Sequence, residues 1–276
     1  MKKIAFWKMS GSGNDFVVID NRRHQLRGSP SRWARTLCHR QFGVGADGLL
    51  LLESDRREDF RMVYYNADGS RADMCGNGAR CMAWFARQRG AVGNTFRFRT
   101  DAYPVGAKVQ GSVVQVALSG ARDYKSEVIA KVDNKTYRPA FINTGVPHAA
   151  LFVLNAKTIN VSAIGQALRF HKAFGPKGTN VNFVEKIGAN KLRIRTYERG
   201  VEGETLACGT GVVASAIAAA LRGIVKSPVR CVVAGGDTLE VRFETHSENP
   251  SRPATNISLK GPVRLTFRGE FYPDNA

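Results

Sequence analysis

Two cysteines stand in settings that could do chemistry. Cys75 lies in M-C-G-N-G-A-R and Cys208 in A-C-G-T-G-V-V, each just before Gly-Xaa-Gly and then a helical segment. Glycine lets a backbone turn tightly and approach a ligand. The first amides of a helix lack intrahelical partners and, with the helix dipole, attract anions such as a carboxylate. The same position lowers a thiol's pKa and favours the thiolate. Two such thiols on opposite faces of one small acid suit two-base racemisation. A thiolate removes the proton alpha to a carboxylate and the opposite thiol delivers one. Helix-terminal amides then stabilise the developing anion. The chemistry calls for no metal ligand set and no cofactor motif. Cys38, Cys81 and Cys231 lack this setting and are read as core residues.

The elements that must position the pair come from an internal repeat. At an offset of 132 residues Gly13 meets Gly145, Phe42-Gly43 meets Phe174-Gly175, Glu53 meets Glu185 and Tyr65 meets Tyr197. One further residue of slip places Cys75 on Cys208. This predicts two similar halves related by a pseudo-two-fold axis and facing a shared cleft. Strands are expected at 1–8, 14–20, 49–53, 60–66, 95–99 and 113–118, then at 140–143, 149–154, 182–185 and 191–198. Helices are expected at 31–40, 79–89, 163–172 and 212–222. The last reads V-V-A-S-A-I-A-A-A-L and is apolar all round, so it should be buried on every side by a curved sheet. Residues 246–258 read as a loop, and the stretch at 247–256, longer than a tight hairpin needs, suggests no function. Val263–Phe267 reads as a last strand that returns to the first half. The expected domains are therefore 1–119 plus 263–276, and 120–262.

Composition bounds the rest. Lys+Arg 41 against Asp+Glu 23 gives a net charge of +18 in 276 residues. The charge is dispersed, without a block of five or six like charges or a nucleic-acid-binding signature, so it reads as a solvated surface that also draws an anionic substrate. Five cysteines without a CxxC pair argue against structural zinc and a disulfide framework. The opening residues lack the apolar core of a signal peptide, and no segment is apolar for long enough to span a membrane. The expectation is a cytoplasmic protein with free thiols, binding neither nucleic acid nor membrane.

The chain resembles the diaminopimelate epimerases. The resemblance rests on G-S-G-N-D-F at 11–16, F-G-V-G-A-D-G at 42–48, Y-N-A-D-G-S at 65–70, M-C-G-N-G-A-R at 74–80, G-T-N-V-N-F at 178–183 and Y-E-R-G-V-E-G-E-T-L-A-C-G-T-G at 197–211. It implies an α/β (α+β) fold of two pseudo-symmetric domains, each a curled mixed β-sheet around a central helix. It implies cofactor-independent interconversion of LL- and meso-diaminopimelate in lysine biosynthesis, commonly by a homodimer. Cys75 and Cys208 match the family's acid/base pair, and His148 and Glu198 match assisting positions. Gly76, Asn77, Gly209 and Thr210 match the loops that hold the reacting carboxylate. Asn14, Asn66, Asn180, Glu198 and Arg199 match substrate-binding positions, of which Asn66, Asn180 and Arg199 read the distal amino-acid end. Asn66 and Asn180 also fit plain turn residues, His148 a carbonyl-bonded histidine, and Glu198 and Arg199 a solvated pair. Asp15, Asp47 and Asp68 are assigned to loops, as caps and turns.

One departure matters. Val146 stands where many members carry an asparagine that touches the distal end of the substrate. A related two-cysteine amino-acid racemase with a broader or different substrate therefore stays open. A thiol redox protein and a basic nucleic-acid-binding module are the readings from other classes.

Overall fold

The computed structural model describes residues 3–273, and the chain divides into two compact units. Unit 1 comprises residues 1–116 and 261–276, and unit 2 comprises 117–260. Four helices are present among the described residues: α1 (Pro30–Cys38), α2 (Gly76–Gln88), α3 (Val161–Arg169) and α4 (Gly209–Leu221).

In unit 1 the strand Ile4–Gly11 turns through Ser12 and Gly13 into the antiparallel strand Asn14–Asp20. Both turn residues have positive φ, as the tight hairpin requires. Asn14–Asp20 runs parallel to Gly48–Glu53, which pairs antiparallel with Arg61–Asn66. The run L-L-L-L is wholly buried because the strand is covered on both faces. α2 packs on Ile4–Gly11, Asn14–Asp20, Gly48–Glu53, Arg61–Asn66 and Pro104–Gln110, so the sheet curls around it. α1 lies against Asn14–Asp20, Gly48–Glu53 and Arg61–Asn66 through a separate core that includes Ala34, Leu37, Val17, Leu49 and Leu51.

Unit 2 repeats the plan. Pro147–Phe152 runs parallel to Asn180–Gly188, which pairs antiparallel with Lys191–Glu198. The register repeats as well. Phe16 pairs with Gly48 and His148 with Asn180; Leu49 pairs with Tyr65 and Val181 with Tyr197. Each second pair lies 132 residues beyond the first, the offset read in the sequence. α4 touches Ala140–Asn143, Pro147–Phe152, Asn180–Gly188, Lys191–Glu198, Val229–Val233 and Thr238–Thr245. Its residues are buried from Gly209 to Ala219 save Thr210, as a helix without a polar face requires.

The structure corrects several expectations. α2 and α4 start three residues earlier than expected, at Gly76 and Gly209, so each Gly-Xaa-Gly is the first helical turn rather than the loop before it. The cysteines are consequently N-cap residues. α3 ends at Arg169 and is followed by a 3-10 turn at Lys172–Phe174. The expected loop at 246–258 shortens, because Ala254–Pro262 is a strand paired with Thr238–Thr245. There Ile257 and Leu259 are buried between polar residues, an alternation hidden by the neighbouring Pro, Ser and Asn. Asp15 lies within a strand, not a loop. The last strand runs Arg264–Phe271 and pairs with Ile4–Gly11, returning to unit 1.

Candidate active site

The chemistry-bearing side chains fall into one cluster in each unit. In unit 1, Cys75 caps α2 with extended backbone, and its Sγ accepts from the Gly78 amide at 3.4 Å. The Cys75 thiol also donates to Asn14 Oδ1 at 3.5 Å. Asn14 is not free to rotate, because its Nδ2 donates to Asp47 Oδ2 at 2.7 Å. Asp47 is held in turn by the Asp15 amide, at 3.1 Å, and by Arg40, at 2.7 Å. Arg40 bridges to Asp15, which forms a second ion pair at 2.7 Å with the buried Lys8. Burial alone would push the Asp15 carboxyl up; the hydrogen bonds from Lys8 and Arg40 outweigh it and hold it below the usual carboxylate range.

Gly76 and Asn77 form the first turn of α2 and are buried. Asn77 Oδ1 accepts from Arg80 Nη2 at 3.0 Å, and the same nitrogen reaches Ser12 Oγ at 3.0 Å. Arg80 is fully buried, so a guanidinium charge sits inside unit 1 beneath the cysteine loop. Asn66 ends its strand, and its Nδ2 donates to Ser70 Oγ at 3.0 Å in the turn that Asp68 also braces.

In unit 2, Cys208 caps α4 and is buried. Its Sγ lies 3.5 Å from Thr210 Oγ1. Thr210 Oγ1 lies 3.0 Å from His148 Nε2, and Thr144 Oγ1 donates to the Thr210 carbonyl at 3.0 Å. His148 Nδ1 lies 3.2 Å from Asn182 Nδ2. Burial, and secondarily the Arg199 charge, push the His148 pKa down to about 3, so the ring is neutral at physiological pH. Asn180 spends its side chain on the backbone: Nδ2 donates to Pro147 O at 3.0 Å, and Oδ1 accepts from the Arg199 amide at 2.8 Å. Glu198 ends its strand and accepts from Thr205 Oγ1 at 2.9 Å.

The structure thus gathers Asn14, Cys75, Gly76 and Asn77 in one unit and His148, Cys208, Gly209 and Thr210 in the other. Asn66, Asn180, Glu198 and Arg199 cap strand ends, at the same end of the parallel pair as His148 in the case of Asn180. Cys38, Cys81 and Cys231 are core thiols: burial pushes Cys38 and Cys81 up to about 12 and Cys231 further still, and none of the five cysteines is in a disulfide. Sequence reasoning missed Asp47 as the anchor of Asn14, and missed Arg80 and Asn182. A signal for Asn182 was present: in N-V-N-F the second asparagine shares a strand face with the first, where a buried strand usually carries an apolar residue. Among the described residues no group of His, Cys, Asp or Glu gathers to hold a metal ion, and no helix is long and apolar enough to cross a membrane.

Known proteins resemble this chain in fold and in sequence. Solved structures with this fold include a probable proline racemase from Agrobacterium radiobacter, with a TM-score of 0.75 at 15% identity over 98% of this chain and 93% of that one. A Bacillus anthracis phenazine biosynthesis protein of the PhzF family superposes with a TM-score of 0.73 at 15% identity, over 99% and 100%. At that identity the likeness shows the fold alone. In sequence, the diaminopimelate epimerase of Aquifex aeolicus is 44% identical over 96% of this chain and 97% of its own length. That of Chlorobaculum tepidum is 42% identical over 95% and 98%, and that of Methanocella arvoryzae 36% over 99% of both. The family model for diaminopimelate epimerase matches residues 6–118 and 140–265, nearly the whole of both units, and the chain belongs to the diaminopimelate epimerase family.

Proposed function

We propose that the chain epimerises LL-2,6-diaminopimelate to meso-diaminopimelate, the step that serves lysine biosynthesis, using Cys75 and Cys208 as a thiolate/thiol pair. The carrying observation is that each unit sets one cysteine at the N-cap of its buried helix. One sulfur takes the alpha proton, becoming a thiol. The other gives its proton to the opposite face of the same carbon, becoming a thiolate. The configuration inverts without rotation of the intermediate. The negative charge that develops on the alpha carboxylate meets the amides of Gly76, Asn77, Gly209 and Thr210, which open the two helices. Asn14, Asn66, Asn180, Glu198 and Arg199 bind the substrate, with His148 and Glu198 assisting the thiols. The proposed reaction draws on no metal or cofactor. The same proposal makes the enzyme a homodimer in the cytoplasm, where a reducing medium keeps its thiols reduced.

A second reading, a racemase of broader amino-acid range, is favoured by Val146. It is half-buried in the turn before Pro147, where it offers no side-chain donor or acceptor to a second polar end of a substrate.

The test is turnover of LL-diaminopimelate by reduced enzyme in deuterium oxide, followed by NMR for alpha-deuterium and the LL-to-meso ratio. Epimerisation with deuterium uptake, lost in both Cys75→Ser and Cys208→Ser, is expected. Full activity in either variant overturns the two-thiol mechanism. Turnover of glutamate or proline in place of diaminopimelate transfers the assignment to the second reading.

A further inference from the structure

The two cysteines occupy equivalent positions, yet what stands behind them differs. In unit 1 the residues facing Gly78 are Leu50 and Phe16. In unit 2 the residues at the same offset are Asn182 and His148, and Asn182 faces Gly211. One half backs its thiol with a phenyl ring and an aliphatic side chain. The other backs it with an imidazole and an amide.

The polar pair belongs to a directed sequence of hydrogen bonds. Thr196 Oγ1 donates to Asn182 Oδ1 at 3.0 Å. With its oxygen so engaged, Asn182 turns Nδ2 to the Ala149 carbonyl, at 3.3 Å, and to His148 Nδ1. His148 Nδ1 must therefore accept, which puts the ring proton on Nε2. Nε2 donates to Thr210 Oγ1, and the Thr210 hydroxyl proton is left to point at Cys208 Sγ. Every member of this sequence is buried apart from Thr210, which is half-buried. The opposite polarity holds at Cys75. Asp47 is a carboxylate and can only accept, so it fixes Asn14 Nδ2 on itself and turns Asn14 Oδ1, an acceptor, to Cys75.

We infer that Thr196, Asn182 and His148 are positioning residues that end in a donor at Cys208, while Asp47 presents an acceptor to Cys75, so that the resting enzyme carries its thiolate on Cys208 and its proton on Cys75. A sulfur facing a hydroxyl donor is stabilised as the anion; one facing an amide oxygen is stabilised as the thiol. The Gly78 amide at Cys75 is compatible with a neutral thiol, which accepts there and donates to Asn14. The inference rests on the epimerase reading for the use made of the two forms. In one direction of the reaction the base is then ready at rest. In the other, the proton must first be moved from Cys75 to Cys208.

The experiment is competitive alkylation of the reduced enzyme by limiting iodoacetamide at one pH, with each cysteine quantified by peptide mass mapping. Iodoacetamide attacks thiolates. Exposure alone favours Cys75, since Cys208 is the more buried, so faster modification of Cys208 reports its ionisation. Asn182→Leu copies the Leu50 of the other half, and the double variant His148→Phe/Asn182→Leu copies its whole apolar pair, which keeps the packing plausible where the single change unfolds. In both, Cys208 should react roughly tenfold to a hundredfold more slowly, the range for losing a hydrogen bond to a charged group. Cys75 should be unchanged. In Asn182→Leu kcat should fall by a similar factor while KM stays within about twofold, a split that a merely structural role does not give. Faster alkylation of Cys75 in the native enzyme, or unchanged Cys208 reactivity in folded variants, overturns the inference. The labelling needs no substrate, so the expected labelling without diaminopimelate turnover would refute the proposed function and leave the ionisation assignment standing.

Discussion

The same pair of backing residues predicts that two equivalent glycines differ in their tolerance of one methyl group. Gly78 and Gly211 are the third residues of α2 and α4. A Cβ on Gly78 would come to 3.3 Å from Leu50 Cδ2 and 3.4 Å from the Phe16 ring, close contacts that a flexible leucine end relieves by a few tenths of an ångström. A Cβ on Gly211 would overlap Asn182 Oδ1, and Asn182 cannot yield without releasing Thr196, His148 and the Ala149 carbonyl. Alanine in place of a helical glycine gains about 0.5–1 kcal/mol. For Gly78→Ala that gain and the mild crowding nearly cancel, leaving a change within about 1 kcal/mol of zero. For Gly211→Ala three buried hydrogen bonds at about 1 kcal/mol each oppose it, a net loss of about 2–3 kcal/mol. With a urea slope of about 3 kcal/mol per molar the unfolding midpoint should fall by roughly 0.7–1 M in Gly211→Ala and by less than about 0.3 M in Gly78→Ala. Circular dichroism and tryptophan fluorescence should be followed together, because two units need not unfold as one. Equal midpoints for the two variants would refute the claim that Asn182 is held rigidly against α4.

Other outcomes follow from the charges and the turn. His148 has a native pKa of about 3 against an ordinary value of 6.5, so between those values the unfolded chain binds a proton that the native protein does not. Its contribution to stability is complete above about pH 6.5 and is lost as pH falls toward 3. Urea titrations should show native stability declining over that window with a shallower slope in His148→Gln. Arg80→Met removes a buried cation and strips Asn77 and Ser12 of a donor; a loss of about 2–4 kcal/mol is expected, with reduced kcat/KM in any folded protein, and native stability and kinetics would contradict the bracing role. Val146→Asn should sharpen the preference for diaminopimelate over a monocarboxylic amino acid by about tenfold, read as a ratio of kcat/KM values; an unchanged ratio would remove Val146 as a determinant of breadth.

The architecture was legible where the chain repeats itself. The offset of 132 residues, read from a few glycines, phenylalanines and tyrosines, reappears in the strand register at Leu49–Tyr65 and Val181–Tyr197. The apolar run of α4 disclosed its burial because nothing in it could face water. What stayed hidden were features set by tertiary contact. Low local helix propensity at Gly puts the expected helix starts after the glycines, whereas the close approach of Asn182 requires glycine at position 211, inside α4. Asp47 looked like a turn residue because the partner that gives it a purpose, Asn14, is a neighbour only across paired strands. Asn182 stands inside a recognised motif, but the groups that orient it, Thr196, His148 and the Ala149 carbonyl, come from two other strands.

The return of Arg264–Phe271 to pair with Ile4–Gly11 bears on how the chain is made. Unit 1 is completed by a segment that begins at Gly261 and is synthesised after all of unit 2, which is one uninterrupted stretch from 117 to 260. On the ribosome unit 2 can therefore reach its native state while the first sheet still waits with an edge strand open. Premature termination before Arg264 would leave that edge uncovered and prone to pair with other chains, so such truncated products should aggregate through unit 1.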